Sequence, residues 1–292
     1  MKITIITFSP SGNTEKIGQL IRAGLHLKDI ETQYINLSEG TGYFKTDNKQ
    51  QYLSELIKPH DILIIGSPVY AHHLQYNVKD LISFLPKPGN GFSEIAVPFV
   101  TYGGISSGIA LEEAGKILKK SGRKILLGAK FAMSHKMTRA FMDKEFDISN
   151  REENNDTIKQ MVNRIANYDL NNKGDSLKAL TYQNRLVNIK SKIIFNEKKW
   201  HKNRYPKIRI KSLDCSKCGE CIGACPVNSL EKESNGHIIH LRAYDCIHCF
   251  NCIVSCPSKA IYLEGDLDKA QKFMDKMMNK KKEKPASKVY MK

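Results

Sequence analysis

Apolar residues in the first part of the chain follow two alternating patterns. Short β-branched runs at 2–8, 32–37, 61–66, 94–100 and 123–132 are bounded by turn-forming residues and read as buried strands. Between them apolar residues recur at helical steps. Ile17, Leu20, Ile21 and Leu25 do so in 14–27, and Ile158, Met161, Val162 and Ile165 in 156–168. Segments 50–58, 78–85 and 109–120 also read as helices. Strict strand–helix alternation predicts a parallel sheet with crossover helices on both faces. The fold class expected for 1–172 is therefore α/β, a doubly wound, five-stranded parallel sheet of order 2-1-3-4-5. Ligands of such sheets bind beyond the carboxyl ends of the strands, near the first and third.

The pattern changes after residue 172. The chain has 292 residues, of which 41% are hydrophobic, which predicts more than one core. Residues 173–206 form a basic connector, expected to be helical, with Leu186, Ile189, Ile193 and Trp200 near one face. Such a face most simply packs on its own protein. A membrane surface or an acidic partner is the other use of a basic amphipathic helix. Residues 207–264 form a second, small α+β domain. Residues 265–292 read as a basic surface helix that frays into a disordered tail after Lys280, Lys281 and Lys282.

Charge sharpens this division. Lysine and arginine number 46 against 30 acidic residues, a formal net charge of +16. Residues 173–211 alone hold 12 basic and 2 acidic side chains. That field steers an acidic partner, or simply offsets negative charge nearby. Nucleic-acid binding is not indicated, because the basic stretch lacks a recognised motif or an aromatic stacking platform. No apolar run reaches membrane-spanning length, and the apolar start at 1–8 is too short for a secretory signal. A cytoplasmic protein is expected.

All eight cysteines lie in two copies of one spacing. The first is Cys215, Cys218, Cys221 and Cys225, followed by Pro226. The second, 31 residues later (246 − 215), is Cys246, Cys249, Cys252 and Cys256, followed by Pro257. A zinc ribbon uses two C-x2-C pairs and leaves the rest of this repeat unexplained. A disulfide framework needs an oxidising compartment, for which there is no signal. The spacing resembles that of bacterial ferredoxins with two [4Fe–4S] clusters, in which the fourth cysteine of each run reaches across to the other cluster. The resemblance implies one cluster on Cys215, Cys218, Cys221 and Cys256, and another on Cys246, Cys249, Cys252 and Cys225. No cysteine is left over as a nucleophile. His237, His240 and His248 lie near sites that the cysteines already close.

Ser9, Pro10, Ser11, Gly12, Asn13 and Thr14 stand between the first strand and its helix. Small hydroxylated residues there let backbone N–H groups and the helix dipole converge on an anion. The same residues also make a plain helix cap. The segment from Thr7 to Thr14 resembles the phosphate loop of flavodoxins. Gly66-Ser67-Pro68-Val69-Tyr70 and Thr101-Tyr102-Gly103-Gly104 resemble the two flavodoxin loops that flank the flavin. Fused to the cysteine repeat, the chain resembles the flavodoxin–ferredoxin fusion proteins of anaerobes. The resemblance implies FMN with its phosphate on Ser9, Ser11, Gly12, Asn13 and Thr14. Its ring would lie by Pro68, Tyr70, Thr101, Tyr102, Gly103 and Gly104. Unlike the acidic simple flavodoxins, this domain is near neutral, with 21 basic against 18 acidic residues in 1–172.

A flavin and iron–sulfur clusters in one chain imply that single electrons pass between a low-potential donor, the clusters, FMN and an acceptor. The partner is expected to be a redox protein, and the basic connector suits an acidic one. The alternative is an FMN-dependent reductase of a small, quinone-like molecule. In that reading His72 and His73 are the candidate proton donors, although surface-loop histidines often have no such role. His135 and Lys136, after the fifth strand, are placed to face the flavin edge. An open pocket over the flavin favours the reductase, and a covered one favours the carrier.

Overall fold

The structure is a computed structural model that describes residues 1–39, 42–142, 149–170, 174–195, 197, 206–239, 245–279 and 286–292. Five parallel strands build the main sheet: β1 (Lys2–Thr7), β2 (Glu31–Asn36), β3 (Ile62–Tyr70), β5 (Ile95–Tyr102) and β7 (Gly128–Ala132). They run in the order β2-β1-β3-β5-β7, which is the expected 2-1-3-4-5. Successive strand residues face opposite sides. Ile3, Ile5, Ile62 and Ile64 accordingly meet Ile17, Ile21 and Leu25 of α1 (Asn13–His26) and Met161 and Ile165 of α5 (Arg151–Ala166). Ile6, Leu63 and Ile65 face the other side. There they join Leu53 of α2 (Lys49–Leu56), Val78 and Leu81 of α3 (Tyr76–Phe84), and Leu111 and Leu118 of α4 (Ala110–Lys120).

Three elements differ from the sequence pattern. The segment 66–70 is not a loop but the continuation of β3. It turns back through Ala71 and His72 to pair Tyr70 with His73 in the short strand β4 (His73–Leu74). Both turn residues have positive φ, 46° and 70°, as a two-residue hairpin of this type requires, and without the glycine or asparagine usual there. Backbone strain of this kind persists only where the surroundings hold it. Here Ile109 N–H donates to the His72 carbonyl at 2.9 Å. Gly108 allows that approach, because a Cβ there would overlap the His72 backbone.

The second difference is that 123–132 is two strands. β6 (Lys124–Ile125) pairs Ala96 with Ile125, whereas β7 pairs Phe99 with Ala129, so the register slips by one residue. The third is the chain's end. The residues expected to be disordered return as β12 (Lys288–Tyr290), antiparallel to β7 at the sheet edge. The lysine run 280–282 lies outside the described residues, as do Trp200 and His240.

The connector supplies a 3-10 turn (Leu177–Leu180) and α6 (Arg185–Ile194). Leu180 is fully buried in the core under α2, α3 and α4. Asn184 caps α6 by accepting from Val187 N–H. Leu186, Ile189 and Ile193 do not pack on the protein as expected: they are 70%, 46% and 76% exposed.

In the second domain β8 (Lys207–Ile210) pairs antiparallel with β11 (Ile261–Glu264), and the short β9 (Glu231–Lys232) pairs antiparallel with β10 (Ile238–Ile239). Two helical turns, Glu220–Gly223 and Asn251–Val254, repeat 31 residues apart. Left-handed residues repeat at the same interval: Lys217 and His248, Gly219 and Phe250, Asn228 and Lys259. The internal duplication read from cysteine spacing is thus also a backbone duplication. A longer helix, Leu267–Asn279, follows.

Candidate flavin niche and cysteine cavities

Helix α1 starts at Gly12, whose left-handed φ of 79° turns the chain out of β1. Ser9 Oγ accepts from Glu15 N–H at 2.8 Å, and Ser9 N–H donates to Ser38 Oγ at 2.6 Å. Asn13 Nδ2 donates to the Ser134 carbonyl at 2.8 Å, and the Thr14 and Thr101 hydroxyls lie 2.7 Å apart. Three of the five expected phosphate residues therefore use their side chains to tie the loop to its neighbours. The helix N-terminus and the half-exposed Ser11 remain for the anion. Lys136 adds a cation: its Nζ is 3.7 Å from the point where a Cβ on Gly12 would sit.

A niche opens beyond the carboxyl ends of β3, β5 and β7. Val69, Ala71 and His72 form one wall, Tyr102, Gly103, Ile105 and Ser106 a second, and His135 and Phe141 a third. Desolvation lowers the His135 imidazole to about 4, so the ring is neutral at physiological pH. The niche fits a flavin ring in chemistry, with aromatic and aliphatic walls around a few polar groups. It is covered from outside by Phe195 at the end of α6, and by Phe273, Met274 and Met277 of the C-terminal helix. Sequence reasoning missed this cover. The signal was present, since Phe273, Met274 and Met277 share one helical face.

Of the ring-side residues expected, Tyr102 and Gly103 line the niche. Pro68, Tyr70, Thr101 and Gly104 are not among its lining. Tyr70 belongs to β3 and packs against the core on the α2–α4 side.

The two candidate histidines part company. His72 lines the niche and stacks on Phe195, with ring centroids 3.9 Å apart and planes 7° from parallel. His73 instead anchors the connector. Its Nδ1 lies 2.9 Å from Glu113 Oε1, and its Nε2 lies 2.9 Å and 2.5 Å from the carbonyls of Ser191 and Phe195. Burial alone would lower His73, but the hydrogen bond and charge of Glu113 outweigh it and the imidazole is raised. Both ring nitrogens face acceptors on Glu113 and the end of α6, which leaves neither directed at the niche. Glu197 is a second anchor. Its carboxylate accepts from Gln75 Nε2 at 3.1 Å and Tyr76 N–H at 3.0 Å, and burial pushes it up to about 8.

The cysteines form two separate cavities. Cys215, Cys218, Cys221 and Cys256 line one, and Cys225, Cys246, Cys249 and Cys252 line the other. Each set combines three cysteines of one run with the fourth of the other run, which is the crossing expected from the repeat. Among the described residues, no three His, Cys, Asp or Glu side chains converge on a point that would hold a single metal ion. Four thiols around a space suit a cube-shaped cluster, and backbone N–H groups already point at the sulfurs. Lys217 N–H to Cys215 and His248 N–H to Cys246 both measure 3.4 Å, and Ser229 N–H to Cys225 measures 3.2 Å. Burial raises the Cys246 thiol to about 11 and Cys249 to about 12. The sets differ in access: Cys218 is exposed, whereas the second cavity lies against the first domain.

That contact is built from specific residues. Val227 and Ile247 line the second cysteine cavity and are buried in the same core as Leu74 and Val78. Tyr76 Oη donates to the Asp245 carbonyl at 2.9 Å. Asn251 Nδ2 donates to the carbonyl of Pro10, in the loop between β1 and α1. Phe250, another wall of that cavity, meets Phe141 of the flavin niche edge to face at 6.1 Å.

Comparison with known proteins agrees with this architecture. Residues 1–138 match the model of the NADPH-dependent FMN reductase family, and residues 207–277 match that of the 4Fe-4S dicluster domain. No curated protein matches the chain. A flavodoxin from the domain Archaea is 19% identical over 57% of this chain and 96% of its own, with a TM-score of 0.37. Flavodoxin 1 from Bacillus cereus is 16% identical over 58% of this chain and all of its own, at 0.41. Rubredoxin oxygen:oxidoreductase from Desulfovibrio gigas is 17% identical over 62% of this chain but only 37% of its own, at 0.42. With the strand order, the two family models define an FMN-binding, flavodoxin-like domain joined to a dicluster iron–sulfur domain. The chain is a flavodoxin–ferredoxin fusion whose cofactors are FMN and two [4Fe–4S] clusters.

Proposed function

We propose that this chain is an internal electron relay, in which single electrons enter at the exposed cysteine set and reach the flavin niche through the buried set. When bound, each cluster supplies a one-electron site, and FMN a site that holds one or two. Cys215, Cys218, Cys221 and Cys256 would hold the outer cluster. Cys246, Cys249, Cys252 and Cys225 would hold the inner one. The observation that carries the reading is the packing of Phe250 on Phe141, which brings a wall of the inner cysteine cavity against a wall of the niche.

The chain's own residues supply position and access. Tyr76 and Asn251 hold the two domains in one register. Cys218 and the fully exposed Leu213 mark the face that a redox protein would touch, and the nearby lysines suit an acidic one. Anaerobic stopped-flow reduction by a one-electron donor tests the reading, with cluster and flavin absorbance followed separately. The clusters should bleach before or with the flavin, and a Cys218→Ala protein should keep FMN yet reduce it more slowly. Equal flavin reduction rates in the two proteins would overturn the relay.

A further inference from the structure

A second cavity adjoins the flavin niche and is the larger of the two, about 430 Å³ against about 90 Å³. It lies between α6 and the C-terminal helix. The two spaces share six walls: His72, Ile105, Ser106, Phe195, Phe273 and Met277. On α6 it is Val187, Lys190 and Ser191 that turn toward it, at helical spacing. The flavodoxin-like unit alone would leave this side open, so the cavity is a product of the connector and the C-terminal helix.

We propose that this cavity binds a small, planar aromatic molecule carrying negative charge, held next to the flavin. The inference rests on the flavin reading above, and it names the class of acceptor that reading leaves open. Size comes first: the volume is that of a small-molecule site. The walls come next. The stacked rings of His72 and Phe195 are a flat aromatic surface, and Val187, Phe273 and Met277 are apolar. Charge decides the rest. Lys190 and Lys276 line the cavity with their side chains open to solvent, and among the described residues no aspartate or glutamate lines it. An apolar slot with two cations at its rim selects an aromatic anion over a neutral ring or a cation.

Isothermal titration of oxidised, FMN-loaded full-length protein tests this with 2-naphthoate and its uncharged relative 2-naphthamide, both redox-inert. One naphthoate per chain should bind, about tenfold more tightly than the amide at low salt. Lys190→Glu with Lys276→Glu should remove that preference, weakening the acid about tenfold and leaving the amide within about threefold. Val187→Trp fills the slot and should remove both ligands, while Leu186→Ser on the outer face should change neither. Equal affinity for acid and amide would overturn the proposal, as would a preference for the acid that survives the lysine reversals. Naphthoate that binds flavin-free protein but is displaced by FMN would also overturn it, by showing that the cavity is flavin space. A failed relay leaves these titrations unchanged, because it is read from cluster-to-flavin kinetics alone.

Discussion

The hydroxyl of Tyr102 donates to the Ala286 carbonyl at 3.0 Å and accepts from the Ala286 N–H at 2.9 Å. A ring in the wall of the flavin niche is thus held by the end of the chain. Ser287 Oγ extends the strap by accepting from Ala132 N–H at 3.0 Å, and β12 completes it. Tyr102→Phe leaves two half-buried backbone groups without their partner, a loss of about 1–3 kcal/mol. The expected result is a lower melting temperature and FMN affinity reduced about tenfold or more, read from flavin fluorescence quenching. Removing residues 286–292 should do at least as much. Unchanged FMN affinity in both proteins would separate the strap from the site.

Lys136 should discriminate between flavins. Its ammonium stands over the phosphate loop, so Lys136→Ala should weaken FMN binding about fivefold to thirtyfold. Riboflavin, which lacks the phosphate, should bind the variant as it binds the parent. A parallel loss for both flavins would mean that the lysine supports the fold rather than the anion. Glutamate at Ser11 and Thr14 should abolish FMN binding outright through repulsion.

Connector docking should depend on pH through His73, Glu113 and Glu197. His73 is raised above its ordinary 6.5, so its stabilisation is complete below that value and is lost as pH rises through the raised one. Burial raises Glu113, but His73 and Lys79, 3.0 Å away, more than reverse this and hold it below 4.5. Its contribution is therefore lost as pH falls through that lowered value. Glu197, raised from 4.5 to about 8, favours the folded state least above pH 8. The connector should be tightest in mildly acidic solution and loosen toward pH 9. Hydrogen exchange across α6 from pH 5 to 9 reads this directly. His73→Leu should make the alkaline side shallower, leaving the part due to Glu197, and an unaltered profile in that variant would refute the assignment.

The sheet was legible because its apolar periods are strong: Ile3, Ile5, Ile62 and Ile64 could only sit in a buried strand. The cysteine sets were legible because ligand spacing is local, and the crossing at Cys225 and Cys256 follows from the repeat. What the sequence hid was long-range. Nothing near Tyr102 says that Ala286, 184 residues away, completes its hydrogen bonds. His72 and His73 are neighbours with the same chemistry, and only the carbonyls at the end of α6 separate their roles. The resemblance of Gly66–Tyr70 to the flavodoxin loop after the third strand places Tyr70 in a loop. In the fold these residues lie within β3, where Gly66 pairs with Phe99.

Cluster-to-flavin transfer should be sensitive to the aromatic contact between the domains. Phe250→Ala removes the edge-to-face partner of Phe141 and opens space beside the inner cysteine cavity. The expected outcome is normal iron and FMN content with flavin reduction slowed several-fold. Asn251→Ala should add to this by releasing the phosphate loop from the cluster domain. Normal transfer in the double variant would place the electron route elsewhere.

The crossed cysteine sets make the sharpest prediction. Cys225 follows the first run in sequence, yet it lines the cavity of Cys246, Cys249 and Cys252. Cys225→Ala should therefore damage the inner cluster and spare the outer one. The reconstituted parent should hold about eight iron and eight sulfide per chain. The variant should hold about half, and electron paramagnetic resonance of the reduced protein should lose the coupling between two clusters. Cys256→Ala should give the same iron count but lose the outer, exposed cluster. The two variants then differ in flavin behaviour: with the inner cluster lost, the surviving outer cluster should still reduce, but its electrons should reach FMN slowly. With the outer cluster lost, entry should slow while transfer from the inner cluster remains fast. If Cys225→Ala instead loses the cluster on Cys215, Cys218 and Cys221, each run closes its own site, and the relay order drawn from the domain contact is wrong.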